Sequence, residues 1–111
     1  MNKYKNRALQ VGNEKYRSQR EMRCHQELLL LQRAGKIAGL VREVPFVLAP
    51  SVKIAGEFKA RPALRYICDF MYSDVDTGSI VVADAKGMQT PVWRIKKHLM
   101  KSVHGIDVKV L

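Results

Sequence analysis

The spacing of apolar residues along the chain alternates between two periods. Residues 18–34 and 90–103 carry apolar side chains three and four positions apart, which is typical of amphipathic helices, and each stretch begins at a hydroxyl residue that can cap a helix. Shorter runs rich in β-branched and aromatic residues predict strands. The predicted strands are residues 43–48, 64–72, 79–86 and 106–111. This αβββαβ order predicts a single α/β domain over residues 1–111, with a mixed central sheet flanked by helices.

The remaining segments precede or connect these elements. Residues 1–10 are basic and poor in apolar side chains, and we interpret them as an N-terminal arm. The turn signal Gly12-Asn13 favours a short hairpin before the first helix. Residues 37–41 are expected to be an apolar link, and the turn-rich residues 50–62 are expected to form a hairpin of their own.

The first predicted helix carries an acid on its apolar side. Ser18 is suited to the N-cap, and Glu21 stands three residues later, the spacing of a capping box. On a helical projection Glu21 also falls near the middle of the apolar stripe, whereas Glu27 falls among arginines and is expected in solvent. Glu21 therefore either caps the helix or serves a site on its core-facing side. The stripe itself consists of Met22, Cys24, Leu28, Leu29 and Leu31.

The second predicted helix has an apolar side and a cationic side. Arg94, Lys97 and Lys101 project away from the apolar stripe, and Trp93 and Met100 fall at the margin of that stripe. A cationic face of this kind is either solvated or binds a polyanion, and the helix alone leaves both open. The residues expected to face the core are Val92, Ile95, Leu99 and Val103.

Charged residues interrupt two of the predicted strands. Asp69 lies inside one apolar run, and Asp84 and Lys86 close the next, where strand alternation places both on one face. The short connection between the runs predicts an antiparallel hairpin, which brings Asp69 towards Asp84. Buried carboxylates are costly unless a cation neutralises them, and their oxygens suit Mg²⁺ or Mn²⁺. A lysine beside that cation suits a phosphate substrate, although an ion pair between Asp84 and Lys86 would also account for the two charges.

The chain is strongly basic, with 20 Lys and Arg against 10 Asp and Glu and a formal net charge of +10. A small domain of this charge usually binds a polyanion, and nucleic acid is the expected partner; a nonspecific basic surface and a ribosomal-type structural role are the alternatives. No apolar run approaches the ~20 residues of a membrane span, and the N-terminus lacks the apolar segment of a secretory signal. Cys24 and Cys68 are isolated in sequence and are expected to be reduced, which fits a cytoplasmic location.

The acids and the lysine resemble the signature of the PD-(D/E)xK nuclease superfamily. Asp69 is followed by fourteen residues and then by Asp84-Ala85-Lys86, within the αβββαβ order of elements. More specifically, the chain resembles a small phage and prophage family of initially unknown function whose members are often described as Holliday junction resolvases. The stretches that carry this resemblance over nearly the whole chain are Asn2-Lys3-Tyr4, Ser18-Gln19-Arg20-Glu21, Gln26-Glu27-Leu28, Ala34-Gly35-Lys36-Ile37, Tyr66-Ile67-Cys68-Asp69-Phe70, Asp84-Ala85-Lys86-Gly87 and the helix with Thr90, Arg94 and Lys97.

The resemblance implies a site that uses Mg²⁺, or alternatively Mn²⁺. It implies that Asp69, Asp84 and the Ala85 carbonyl bind the metal and that Lys86 is the catalytic lysine. Glu21 would assist metal binding or position the attacking water.

Two positions depart from the superfamily pattern. Cys68 stands where the superfamily name implies proline. Ala83 stands where a second acid is expected, and the missing acid would lower the affinity for the metal.

The resemblance implies hydrolysis of DNA phosphodiester bonds by a structure-selective endonuclease, a Holliday junction resolvase acting in recombination, in the host cytoplasm if the protein is phage-encoded. Phosphate contacts position DNA without reading its bases, and cutting a four-way junction twice favours a homodimer. The alternatives are another nuclease of the superfamily, for nicking or repair, and a non-catalytic basic DNA-binding accessory protein. The residues expected to hold phosphates are Lys53, Lys59, Arg61, Arg94, Lys97 and Lys101.

Overall fold

The computed structural model describes residues 9–111, which form a mixed α/β domain. The elements are β1 (Leu9–Val11), β2 (Glu14–Tyr16), α1 (Gln19–Arg33), β3 (Ile37–Ala49), β4 (Leu64–Asp74), β5 (Ile80–Asp84), α2 (Pro91–His104) and β6 (Lys109–Val110). The first two strands form the short hairpin predicted around Gly12-Asn13. The order after that hairpin is αβββαβ, so the predicted fold class is confirmed. Residues 1–8 of the predicted basic arm lie outside the described residues.

The main sheet has the strand order β3-β4-β5-β6. Its first three strands are antiparallel neighbours, whereas β5 and β6 are parallel. A parallel pair needs a crossover connection, and α2 supplies it. Helix α1 packs on one face of the sheet through Leu28, and α2 packs on the other face through Trp93 and Met100. The sheet therefore lies between two helices, and the end of β5 lies at its centre.

Both helices begin and end within a residue of their predicted bounds. The hydroxyl of Ser18 accepts a hydrogen bond from the backbone N–H of Glu21 at 3.2 Å, and the hydroxyl of Thr90 does the same for Trp93. Gly105 ends α2 with a φ of +69°, in the left-handed region where glycine is favoured. The capping chemistry read from the sequence thus sets the helix ends.

The strand bounds differ from the prediction in several places, and the last strand, predicted over residues 106–111, is only the two residues of β6. Residues 37–41, predicted to be a link, belong to β3 and pair with the end of β4 across an irregularity near Gly39. The hairpin predicted over residues 50–62 is a loop that contains one bridge, between Val52 and Arg61. Strand β5 ends at Asp84, so strand alternation does not determine which face Lys86 occupies.

The predicted core-facing sides of the helices are also partly wrong. In α2 the side chains of Val92, Ile95 and Val103 are more than half exposed, while Trp93 and Met100 are buried. A buried indole N–H needs an acceptor, and Trp93 finds one in Asp84, which turns α2 towards its Trp93 side. In α1 the buried residues are Glu21, His25 and Leu28, whereas Leu29 and Leu31 are exposed.

The even-numbered residues of β4 lie on one face of the sheet before Asp69 and on the opposite face after it. Tyr66 and Cys68 pack in the core on the α2 side, whereas Phe70 and Tyr72 pack in the core on the α1 side. The change falls at Asp69. On β3, Glu43 lies between the partners of Cys68 and Phe70 and has a φ of +54°, which side chains other than glycine rarely adopt. The irregularity therefore spans both strands and places Asp69 between the two cores.

Candidate functional site

Asp69 and Asp84 hold each other in place across two neighbouring strands. The Asp84 Oδ1 atom accepts a hydrogen bond from the backbone N–H of Asp69 at 2.8 Å. The Asp69 Oδ2 atom accepts one from the backbone N–H of Ala85 at 2.9 Å. Both carboxylates are buried. The structure thus brings together the two acids that the predicted hairpin was expected to bring together.

Asp84 is fixed by neutral donors on both of its oxygens. Its Oδ2 atom accepts a hydrogen bond of 2.8 Å from the indole N–H of Trp93. Within residues 9–111, no cationic side chain lies within 4 Å of this carboxylate. The hydroxyl of Tyr66 is also buried, without a hydrogen-bond partner among the described residues, and its pKa is raised by burial and by the nearby Asp84. The Asp84 carboxyl group is therefore buried without a cationic partner among the described side chains.

Glu21 contacts two arginines that the sequence pattern did not indicate, Arg17 and Arg42, and Arg17 joins it to the acid pair. Its Oε1 atom accepts a hydrogen bond from Arg42 at 2.6 Å. Its Oε2 atom accepts one from the backbone N–H of Arg17 at 3.2 Å and lies 3.5 Å from the Arg17 Nε atom. The Arg17 Nη2 atom also donates to Asp69 Oδ1. The Arg17 guanidinium therefore bridges Glu21 and Asp69. Glu21 takes part in the helix cap through its backbone N–H and in the acid cluster through its carboxylate.

Burial and neighbouring charge oppose the ionisation of Asp69. Burial and then the charge of Asp84 raise the pKa of its carboxyl to about 6, against the opposing effects of the Ala85 N–H and Arg17. Two neighbouring buried carboxylates repel each other when both are ionised. The cluster is consequently short of positive charge at neutral pH.

The chemistry of the cluster fits a hard divalent cation, although its carboxylates are arranged around hydrogen bonds rather than around a shared ion. Carboxylate and carbonyl oxygens are the ligands that Mg²⁺ and Mn²⁺ prefer, and the missing positive charge is what such an ion would supply. The oxygens of Glu21, Asp69 and Asp84 already accept hydrogen bonds. Among residues 9–111, no group of three or more His, Cys, Asp and Glu side chains is arranged to hold a metal ion. A shared metal therefore requires a rearrangement of side chains at this cluster.

Lys86 lies in the loop that follows β5, two residues beyond Asp84, and is half-buried. The described ion pairs do not include Lys86, so the alternative of an Asp84–Lys86 pair is not observed. The Lys86 ammonium, which has no carboxylate partner within the described part of the chain, is available to an anionic ligand.

The cationic residues of α2 line a groove of about 350 Å³. The ammonium of Lys97 lies 5.3 Å from the centre of the Trp93 ring, whose N–H contacts Asp84. Lys101 forms an ion pair of 2.7 Å with Asp107 at the rim. The groove therefore adjoins the acid cluster through a single tryptophan. Its lining residues are Gln89, Arg94, Lys97, His98, Lys101 and Asp107.

The other three predicted phosphate-binding residues lie elsewhere, in the exposed loop between β3 and β4. Arg61 makes two hydrogen bonds of 2.9 Å to Glu57 in that loop. Lys53 and Lys59 are exposed. The ion pairs and hydrogen bonds of residues 9–111 do not connect this loop to the groove on α2.

The fold and the site together define a mixed α/β protein with a buried carboxylate cluster beside a cationic groove. Within that class, the chain belongs to the family described as "Protein of unknown function (DUF1064)", whose model matches residues 1–110. No curated protein and no solved structure matches the chain. In the part of the chain that the structure describes, neither helix is long and apolar enough to cross a membrane.

Proposed function

We propose that this protein is a Mg²⁺-dependent, structure-selective DNA endonuclease of the PD-(D/E)xK superfamily, with four-way DNA junctions as its substrate. The observation that carries this proposal is the buried pair Asp69 and Asp84, which is short of positive charge and adjoins a cationic groove. Buried acids beside a surface for DNA phosphates oppose binding unless a cation offsets them. A metal-dependent phosphodiesterase needs both features side by side.

The residues of the cluster have distinct roles in this proposal. Asp69, Asp84 and the Ala85 carbonyl would hold the metal, and Glu21 would assist metal binding or position the attacking water. When bound, the ion supplies Lewis-acid activation of the phosphoryl oxygen and lowers the pKa of a bound water. Lys86 would stabilise the negative charge that develops on the phosphate in the transition state.

The groove on α2 would hold the DNA backbone beside this cluster. Arg94, Lys97 and Lys101 are spaced along one helix and face phosphates rather than bases, so recognition would depend on DNA shape. Cutting a four-way junction on two strands needs two copies of the site. The exposed apolar residues Val92, Ile95 and Val103 lie along one side of α2 and are suited to contact a second copy, because contiguous exposed apolar surface often marks an interface.

A second candidate, a non-catalytic DNA-binding accessory protein, is favoured by one observation. The carboxylates of the cluster are already satisfied by Trp93, Arg17, Arg42 and backbone N–H groups. A hydrogen-bonded network of this kind can serve stability alone.

Incubation of the purified protein with end-labelled four-way, flap and linear duplex DNA separates the two candidates. Each substrate is tested with Mg²⁺, with Mn²⁺ and with a chelator. We expect paired cuts near the branch point of the four-way junction that require the metal and are absent from linear duplex. Tight binding without cleavage in either metal would favour the accessory protein instead.

A further inference from the structure

Arg17 differs from the other charged partners of the acid cluster in its exposure. Its guanidinium bridges Asp69 and Glu21, and 63% of its side chain is exposed, although each of those carboxylate side chains is only 3% exposed. A cation at this place screens two acids from the solvent side. Because most of the side chain is already hydrated, its departure into solvent leaves no buried cation behind.

Arg42 belongs to the same network, but its side chain is mostly buried. It is 13% exposed and donates to Glu21, to Glu14 and to the backbone carbonyl of Lys15. Its guanidinium also lies 4.4 Å from the centre of the Tyr16 ring. Arg42 is thus held by four separate groups, whereas among residues 9–111 the guanidinium of Arg17 bonds only to Glu21 and Asp69, the acids that a metal would share.

We propose that Arg17 is an exchangeable counter-cation: it neutralises Glu21 and Asp69 until a divalent metal ion enters, and it leaves when the ion binds. This inference rests on the proposed metal-dependent function. The guanidinium occupies Asp69 Oδ1 and Glu21 Oε2, two of the oxygens that an ion shared by these acids would use. Arg17 therefore competes with the metal and lowers its apparent affinity, while it stabilises the protein that contains no metal.

The competition has a measurable consequence for variants of Arg17. Arg17→Gln removes the competing charge, and we expect it to bind Mn²⁺ and Mg²⁺ about fivefold to tenfold more tightly than the wild type, which is the scale of one charge-assisted contact. Without metal the same variant should melt at a lower temperature, because the acids lose their counter-cation. Added Mg²⁺ should then raise its melting temperature more than that of the wild type.

Metal binding is measured without DNA, by titration calorimetry and by the fluorescence of Trp93, which is the only tryptophan of the chain and contacts Asp84. The matched control is Arg23→Gln on the exposed side of α1, where Arg23 contacts only Gln19 among the described residues. It should leave the metal affinity unchanged. Arg17→Lys keeps the charge but not the bridging fork, and we expect an affinity about twofold to threefold above the wild type.

The outcomes separate this inference from the function on which it rests. Tighter binding by Arg17→Gln, with Arg23→Gln at the wild-type value, supports the exchange. Wild-type protein that binds metal, with equal or weaker binding by Arg17→Gln, overturns the exchange and leaves the proposed function standing. Absence of metal binding by every protein in the series overturns both. If Arg17→Gln does not fold, Arg17→Lys decides, and an unchanged affinity in that variant counts against the exchange.

Discussion

Two elements fix the carboxylate of Asp84 from opposite directions. The indole of Trp93 reaches it from α2, and the backbone of Asp69 reaches it from β4. Because each oxygen has its own donor, the carboxylate cannot rotate without breaking a buried hydrogen bond. The orientation of the Asp84 carboxylate consequently depends on how α2 packs on the sheet.

Lys86 provides the sharpest residue-level test of the proposed chemistry. Lys86→Ala should lower Mg²⁺-dependent cleavage by at least about a hundredfold, because the residue would stabilise charge in the transition state. Junction binding should change little, since at most one phosphate contact among several is lost. Cleavage rates and junction affinities are measured side by side, with Lys36→Ala in the exposed turn after α1 as the matched control. Wild-type cleavage by Lys86→Ala would remove this residue from the mechanism.

Asp84→Asn should also abolish cleavage, but it carries a structural cost that Lys86→Ala avoids. The amide can present an acceptor to only one of the two donors that Asp84 now satisfies, and an unpaired buried donor costs about 1–3 kcal/mol. We therefore expect both a loss of cleavage and a lower midpoint of urea unfolding. Asp76→Asn in the exposed loop before β5 is the control for the substitution itself.

His25 is expected to make stability depend on pH. It is buried, and its ring contacts the hydroxyl of Tyr16 at 2.6 Å. Burial and the charge of Arg42 lower its pKa from the ordinary 6.5, against the opposing effects of Glu14 and Glu21. The unfolded chain therefore binds this proton more tightly than the folded protein. The free energy of unfolding should keep the His25 contribution above about pH 6.5 and lose it as the pH falls through 6.5 and below.

The measurement is urea unfolding between pH 5 and pH 8 of the wild type and of His25→Gln. Asp69 titrates in an overlapping range in both proteins, so the relevant quantity is the difference between the two curves. That difference should change with pH below about 6.5 and should be flat above it. His98→Gln, on the exposed side of α2, should follow the wild type.

The proximity of Asp69 and Asp84 could be predicted from sequence, but their arginine partners could not. A short connection between two strands brings the acids together whatever the exact register. Arg17 reaches Asp69 across 52 positions, from a segment whose placement depends on how α1 packs on the sheet. The sequence contained one usable signal, since a buried tryptophan N–H needs an acceptor and Trp93 follows Asp84 by nine positions.

At the scale of elements, helix ends were predictable and helix faces were not. Caps depend on local residues, such as Ser18 and Thr90, and both act as expected. The face that a helix buries depends on what the opposing surface offers. In α2 the hydrogen bond from Trp93 to Asp84 outweighs the aliphatic stripe that contains Val92 and Ile95, so that stripe points outward.

The cationic side of α2 should determine the salt dependence of DNA binding. Lys97→Ala combined with Lys101→Ala should weaken binding to all DNA sequences and lower the slope of log affinity against log salt by roughly two. The slope is measured by titration of a labelled junction at several salt concentrations. Arg23→Ala combined with Arg33→Ala, on the exposed side of α1, is the matched double control. A slope that stays at the wild-type value would place the DNA on another surface.

The irregularity between β3 and β4 predicts opposite effects at two positions. Glu43 has a φ of +54° and is exposed, so Glu43→Gly should relieve backbone strain and raise the free energy of unfolding by about 1 kcal/mol. Gly39 has a φ of +65°, so Gly39→Ala should lower it by about the same amount. Chemical unfolding of both variants against the wild type checks the signs. A loss of stability in Glu43→Gly would mean that the glutamate side chain makes a contact that outweighs the strain.

At the scale of the whole molecule, the proposed reaction requires two copies of the site. We expect a dimer at micromolar concentration by light scattering, and we expect Ile95→Glu to dissociate it because that side chain is 60% exposed on the apolar stripe of α2. Lys36→Glu is the control for the added charge. A wild-type monomer that still makes paired cuts would show that the dimer forms only on DNA.

The change of face at Asp69 divides the domain into two layers with separate cores. The core beneath α1 contains Leu28 and Phe70, and the core beneath α2 contains Cys68 and Met100. Layers of this kind can open one at a time, and amide hydrogen exchange resolves such partial unfolding. Opening of the α1 layer alone would separate Glu21 and Arg17 from the cluster, while Asp84 kept its hydrogen bond to Trp93. The acid cluster would then be assembled by a local folding equilibrium, and the population of the closed layer would set the fraction of molecules able to act.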